Sequence, residues 1–286
     1  MDELTNYLQQ LPNTLMDIPK NMPKTPQQLV ESVNTVKMAP YFLFVHYTLV
    51  TLSLRARSGS RDYAKSHPFA SWFVCLVSCL GGALISAFLL GKSTLNVFYV
   101  NNTNLIYITI VWYLVMFSPA DIFYKIVNIN AVKAIILVLK EVQRVRNIQN
   151  GVNTVAETYR GSSLDQIFFV AVLIGSVRGS GAKFLMRPLD SFIRGTIGAD
   201  NEFLKPTFST KHAVLSSILI LLQRMGYFKM DEPLLITILF AIAATVQLAL
   251  LFTDIEDPYK KIEEVLAAIL FKFPDEAVKE VKKKKD

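Results

Sequence analysis

Apolar residues along this chain gather into long runs, and polar residues collect between them. A membrane-crossing helix needs about 20 mainly apolar residues, and on that measure about seven segments stand out. They run from about Val36 to Leu54, Phe69 to Leu90, Leu105 to Phe123, Ala131 to Val155, Leu164 to Leu189, His212 to Met225 and Leu234 to Phe252. The fourth begins apolar and then fills with charge, and the sixth is short. Both fall below a simple hydropathy threshold, yet the charges in the loops alternate correctly only if both cross. The pattern predicts an all-α integral membrane protein of about seven transmembrane helices. Residues 1–35 form a proline-rich arm with Pro12, Pro19, Pro23 and Pro26, residues 36–253 the membrane domain, and residues 254–286 a basic tail.

Composition agrees with this reading. Hydrophobic residues make up 52% of the 286 and charged residues 19%, against roughly 25% charged in ordinary soluble domains. Mean hydropathy is +0.35 and the pI about 9.3. The net charge of +7 fits an anionic membrane surface better than nucleic acid, because the basic residues flank apolar runs and no aromatic stacking positions interleave with them. Cys75 and Cys79, the only cysteines, lie one helical turn apart in an apolar run and read as buried thiols. The Met-Asp-Glu-Leu start has neither the basic nor the apolar region of a cleaved signal peptide.

The distribution of Lys and Arg sets the orientation. Arg55, Arg57, Arg61 and Lys65 follow span one, Lys125 follows span three, Arg194, Lys205 and Lys211 follow span five, and Lys260, Lys261, Lys272, Lys279 and Lys282 to Lys285 follow span seven. The intervening loops hold only Lys92, Arg160 and Lys229. The C-terminus is therefore expected to be cytoplasmic and the N-terminus on the far side. Asn101-Asn102-Thr103 is a glycosylation tripeptide in a far-side loop, a weak but concordant sign. The final Lys283-Lys284-Lys285-Asp286 fits two readings: a dilysine retrieval signal of the endoplasmic reticulum, or a solvated basic tail near anionic lipid.

Spans one to three and four to six suggest a repeat. An offset of 99 places Phe69 on Phe168, Gly82 on Gly181 and Ala83 on Ala182. A three-span unit must run the opposite way on its second copy, the inverted-repeat plan of many transport proteins. Span two is expected to break at Gly81-Gly82 and span five at Gly179-Ser180-Gly181, marking a conduction path. The competing reading is that these glycines let helices pack closely.

Candidate chemistry concentrates in spans four and five. Span four holds Lys140-Glu141-Val142-Gln143-Arg144-Val145-Arg146. Each charge near mid-bilayer costs roughly 2.5–3.5 kcal/mol, so four facing lipid would cost on the order of 10 kcal/mol. Lys140 and Arg144 share a helix face, and Glu141 can offset Arg144 but not Lys140 and Arg146 as well. A bound polyanion would resolve the excess; alternatively the helix ends early and the charges snorkel. Span five adds Arg178, Lys183, Arg187 and Arg194 against Asp190 alone, a pattern for an aqueous path, a voltage-responsive element or helix-end snorkelling. His46 and His212 stand alone, where packing suits them better than metal binding. No nucleophile elbow, phosphate loop or zinc spacing is present, so an enzyme is not expected.

Lys-Glu-Val-x-Arg in span four, Gly81-Gly82 in span two and Gly-Ser-Val-Arg-Gly-Ser-Gly-Ala-Lys-Phe in span five together resemble the trimeric intracellular cation (TRIC) channels of animals, over roughly Val36 to Phe252. The resemblance implies two inverted three-helix repeats plus a final helix, a homotrimer with one pore per subunit, and potassium-permeable cation conduction in the endoplasmic or sarcoplasmic reticulum, balancing charge during calcium release and uptake. It implies a structural phosphatidylinositol 4,5-bisphosphate on Lys140 and Arg144, and pore or helix-break roles for Gly81, Gly82, Arg178, Gly179, Gly181 and Lys183. Two other functions fit parts of the sequence. A secondary carrier shares broken, inverted helices but usually places acids at the midplane, where this chain has few; a non-conducting lipid-binding scaffold explains the basic tail but not glycine pairs beside buried charge.

Overall fold

The structure, a computed structural model, describes residues 25–99, 102–195, 206–253 and 257–260. The arm up to residue 24, Asn101 of the glycosylation tripeptide, Lys205 and the lysine tail from residue 261 onward lie outside the described residues. Among the described residues the regular structure is helical throughout.

A short helix, α1 (Pro26–Thr35), starts where Thr25 accepts a hydrogen bond from the Gln28 amide and Pro26 occupies the first turn. Helix α2 (Tyr41–Arg55) follows, then α3 (Ser60–Ser66) at the corner beyond it. Next come α4 (Pro68–Cys79), α5 (Gly81–Leu89), the short α6 (Leu95–Tyr99) and α7 (Asn102–Phe117). A 3-10 turn over Pro119–Asp121 leads to α8 (Ile122–Val127). The chain then forms α9 (Asn130–Thr158), α10 (Leu164–Ile193), α11 (Phe208–Arg224) and α12 (Glu232–Phe252). Helix α10 opens with a reciprocal cap, the Ser163 side chain taking the Gln166 amide while the Gln166 side chain takes the Ser163 amide.

Each predicted span is present as helix, with corrections at its ends. Span one begins at Tyr41 rather than Val36, because Pro40 cannot continue a helix from before it and stands at its N-terminus. Span two bends by 62° at Leu80, beside the predicted Gly81-Gly82. Span three was expected to reach Phe123; instead it stops at Phe117 and the chain turns by 88°. Ser118-Pro119 halts the helix, and Ala120 and Asp121 take left-handed φ of 51° and 58°. Span five does not break at Gly179-Ser180-Gly181: α10 is continuous for 30 residues, with Pro188 inside it. Among the described helices α10 and α12 are each long and apolar enough to cross a membrane, and the two bent pairs pass the same test when each is taken as one span. Helices α2 and α11 have 15 and 17 residues, and α9 is long but charged.

Buried apolar side chains fall into two clusters that follow the repeat. One joins α2, α4 and α7 through residues such as Tyr47, Cys75 and Ile108, with Met186 reaching in from α10. The other joins α9 to α12 through Ile148, Ile174, Ile220 and Ile236, with Val33 of α1. Polar contacts sort the helix ends into two groups. Arg55 pairs with Asp121, Arg57 with Asp190, and Lys211 with Asp257 at one end. Lys92 reaches Thr158, and Arg224 reaches Asn153 and Glu232, at the other.

The halves meet where α5 crosses α10. A Cβ on Gly181 would lie 2.3 Å from the Cα of Gly82, and one on Gly81 would lie 2.7 Å from the carbonyl oxygen of Gly181. Two positions that the offset of 99 equates, Gly82 and Gly181, are therefore in backbone contact, as expected for residues on a pseudo-twofold axis. The three glycines inside α10, Gly175, Gly179 and Gly181, cost about 1 kcal/mol each relative to alanine; close packing on α5 and α9 keeps the helix unbroken regardless.

Gly181→Val should force α5 and α10 apart and destabilise the protein by about 1–3 kcal/mol. Thermal unfolding of the detergent-solubilised protein, followed by tryptophan fluorescence, should show a midpoint several degrees lower. An unchanged midpoint would mean that the crossing is not tight in solution.

Candidate functional site

Helix α9 carries its charged stretch into the bundle, not onto its outside. Lys140, Glu141, Gln143 and Arg144 are all buried, Glu141 completely at 0% exposure. The snorkelling reading therefore fails for these residues, and each has a partner inside the protein. Lys140 Nζ donates to His46 Nδ1 at 2.6 Å and to Gln143 Oε1 at 2.8 Å. Since His46 Nδ1 accepts, Nε2 carries the ring proton and donates to the Cys79 carbonyl at 2.9 Å. That carbonyl lies in the last turn of α4, where the bend at Leu80 leaves it without a partner in its own helix. Arg144 Nη1 donates to both carboxylate oxygens of Glu141. Arg146 reaches the carbonyls of Val33 and Asn34. These are last-turn carbonyls of α1, the end of a helix that carries partial negative charge. Asn34 in turn fixes α1 to α12 through the Pro233 carbonyl at 3.0 Å.

A cavity of about 790 Å³ opens between the halves. Lys140, Arg144, Arg178 and Lys183 line it, together with Gly82, Gly179 and Gly181. Gly81 is not on its wall; it is spent on the contact with α10. Among the described residues Arg57 and Arg187 complete six cationic side chains around the cavity, and no carboxylate lines it. The glycines thus do both jobs weighed from the sequence: they bring backbones together and they border open space. Gly179 supports α9 in the same manner, since a Cβ there would lie 2.6 Å from Ile148 Cγ1.

The cations differ in how they are held. Arg57 is paired with Asp190 and donates to Ser191 at 3.0 Å. Asp190 also takes Arg194 at 3.2 Å. Lys183 donates to Thr207 Oγ1 at 2.6 Å. Arg178 is different: its Nε is buried with no hydrogen-bond partner, and no ion pair reaches it among the described residues. Its Cγ lies 3.0 Å from where a Cβ on Gly151 would stand, and its carbonyl 3.2 Å from the same point on Gly82.

Several site residues were missed from the sequence. His46, read as a packing residue, binds Lys140 directly. Asn104, Asn147, Ser180 and Gln247 supply neutral polar lining; for Gln247 the signal was a lone amide inside an apolar run. The thiols of Cys75 and Cys79 are free, buried and 4.0 Å apart. No group of three or more His, Cys, Asp or Glu side chains among the described residues is arranged to hold a metal ion.

Comparison with known proteins agrees with this geometry. A family model described as TRIC channel matches residues 57–254. The trimeric intracellular cation channel type 1B.1 of Caenorhabditis elegans is 31% identical over 241 residues, 83% of this chain and 79% of the relative. A solved trimeric intracellular cation channel from C. elegans, without Ca2+, superposes with a TM-score of 0.71 at 30% identity, covering 81% of this chain and 99% of that one. Another, from work on the structural basis for activity of TRIC counter-ion channels in calcium release, gives a TM-score of 0.72 at 26% identity over 78% of this chain and 97% of that one. With its bent and close-packed glycine helices, its buried Lys-Glu-Val-x-Arg and a family match over more than half its length, this chain belongs to the TRIC channel family.

Proposed function

We propose that the chain forms a potassium-permeable cation channel of the endoplasmic or sarcoplasmic reticulum membrane, assembled as a homotrimer, that supplies counter-ion current when calcium is released and taken up. The observation that carries the reading is the polar cavity within an otherwise apolar bundle, in a chain whose family is made of cation channels. The proposed orientation puts the Arg55–Asp121 and Arg57–Asp190 end in the cytoplasm, because that end follows the Lys- and Arg-rich loops. The N-terminus is then luminal.

A path for cations bordered, among the described residues, by six cations and no carboxylate carries an unfavourable potential. We assign its relief to a bound phosphatidylinositol 4,5-bisphosphate, a structural lipid whose phosphates meet Lys140 and Arg144. Both side chains face the cavity from one side of α9. Glu141 occupies one edge of the Arg144 guanidinium and leaves its Nε unpartnered. Lys140 has two neutral partners and no counter-ion in contact. The lipid therefore adds charge where the protein supplies only part of it.

Purified protein in a planar bilayer in potassium salt should give unitary currents that depend on this lipid. Silence from folded protein, with lipid present and at all voltages, would move the assignment to a carrier or a scaffold. Lys140→Gln leaves Glu141 and Arg144 paired, so it should fold. It should weaken phosphoinositide binding in a vesicle assay by about tenfold, the worth of one charge-assisted hydrogen bond. Undiminished binding would remove Lys140 from the lipid site. In contrast, Arg144→Gln strands the wholly buried Glu141 and should cost stability by roughly 3–5 kcal/mol, so that variant is a test of folding before it is one of lipid binding.

A further inference from the structure

Among the six cavity cations, Arg178 is set apart by position as well as by its missing partner. Its side chain lies against Gly151, seven residues beyond Arg144 on α9. That spacing amounts to about 10 Å along the helix axis. Arg178 therefore lies against a different level of α9 from the Lys140 and Arg144 pair assigned to the headgroup. The other five charges of the cavity have local partners: Arg57 has Asp190, Arg144 has Glu141, Lys140 has His46 and Gln143, Lys183 has Thr207, and Arg187 is engaged as well.

Retreat is also blocked. Backbones of α5 and α9 approach α10 on both sides of Arg178, through Gly82 and Gly151, at distances where a Cβ would already crowd. The side chain therefore stays at the cavity wall near the middle of α10, with Asn147 on the facing helix one turn before Gly151. A fixed, unneutralised positive charge at such a point raises the energy of a passing cation and lowers that of an anion.

We infer that Arg178 lowers cation throughput and shifts the cation-to-anion preference of this pore, through a cavity-wall charge that no ion pair answers among the described residues. The inference rests on the channel reading above. It places conductance control at a site separate from lipid binding, so the two can be altered independently. Charge, not shape, is the operative property: Arg178→Lys should behave as the native protein, while Arg178→Gln should conduct better and Arg178→Glu better still.

The test is single-channel recording of the full chain in a planar bilayer containing phosphatidylinositol 4,5-bisphosphate, with reversal potentials measured under a potassium chloride gradient. Arg178→Gln should raise unitary potassium conductance by about two- to fivefold and move the reversal potential toward that of potassium. Lipid binding in vesicles should stay as in the native protein. A second variant, Asn147→Asp, keeps Arg178 and places a carboxylate on the facing wall; it should raise conductance in the same direction and covers the case in which Arg178→Gln does not assemble. Native currents with unchanged conductance and reversal potential in the assembled variants would overturn the inference and leave the channel assignment standing. Absence of native current would instead overturn the channel assignment.

Discussion

The bundle is organised around one constraint: the charged stretch of α9 lies buried inside it. Hydrocarbon penalises every unsatisfied polar group, so Lys140, Glu141, Arg144 and Arg146 dictate what must surround them. Helix α2 answers with His46, placed so that its ring joins Lys140 to a carbonyl that the bend in span two has freed. Glu141 and Arg144 answer each other within one helical turn. The end of α1 answers Arg146 with backbone carbonyls, which anchors the segment before span one to the centre of the second half. None of these contacts is available unless α9 is packed on nearly every side, and glycines make that possible: Gly151 and Gly179 remove the side chains that would hold α10 off α9.

The same economy explains why the repeat is symmetric in position and asymmetric in shape. Gly82 and Gly181 are equivalent by sequence and touch in space. Yet α4 and α5 bend at Leu80 while α10 runs straight through its glycines. The difference lies in what each helix packs against. Flanked by α5 on one face and by α9 and α11 on others, α10 has its backbone bonds protected by neighbours. At Leu80 the chain gains by bending, because the Cys79 carbonyl becomes the anchor that orients His46. A symmetric pair of breaks would have left a second set of freed carbonyls in α10 with no histidine to meet them.

Much of this was legible in the sequence, for identifiable reasons. Apolar run length located most spans, since the bilayer imposes that length directly, and the alternation of loop charge located the fourth and sixth. The Glu141–Arg144 pairing followed from helical spacing, and the glycine positions followed from the repeat. The misses share a cause: each depends on a partner distant in the chain. Nothing local to Arg146 points to the carbonyls of Val33 and Asn34. Nothing local to His46 distinguishes a packed ring from one holding Lys140, which lies 94 residues away. The early stop of span three was foreshadowed by Ser118-Pro119, but the left-handed pair at Ala120 and Asp121 is sustained by tertiary contacts. Asp121 holds Arg55 and Arg61, and Arg55 also lies over the Tyr124 ring at 3.7 Å. A glycine break in span five was the natural reading of two glycines in three positions, and it failed because packing outweighed propensity.

A cation channel lined by cations is a contradiction only if charge is summed over the whole cavity. Taken residue by residue, the charge is divided. Arg57 at one end is tied to a carboxylate that faces away from the cavity, and it shares that carboxylate with Arg194. Arg144 is half neutralised by its own helix. Lys140 is hydrogen-bonded but not neutralised, which is the state in which a phosphate adds most, because the lysine is already oriented and its charge is still available. On the proposed reading, such division would let the fold stand without the lipid and leave the electrostatic profile to be completed by it. Among the described residues no carboxylate lines the cavity, so none there forms a fixed negative site that would hold a divalent cation more tightly than the monovalent ions it is proposed to pass.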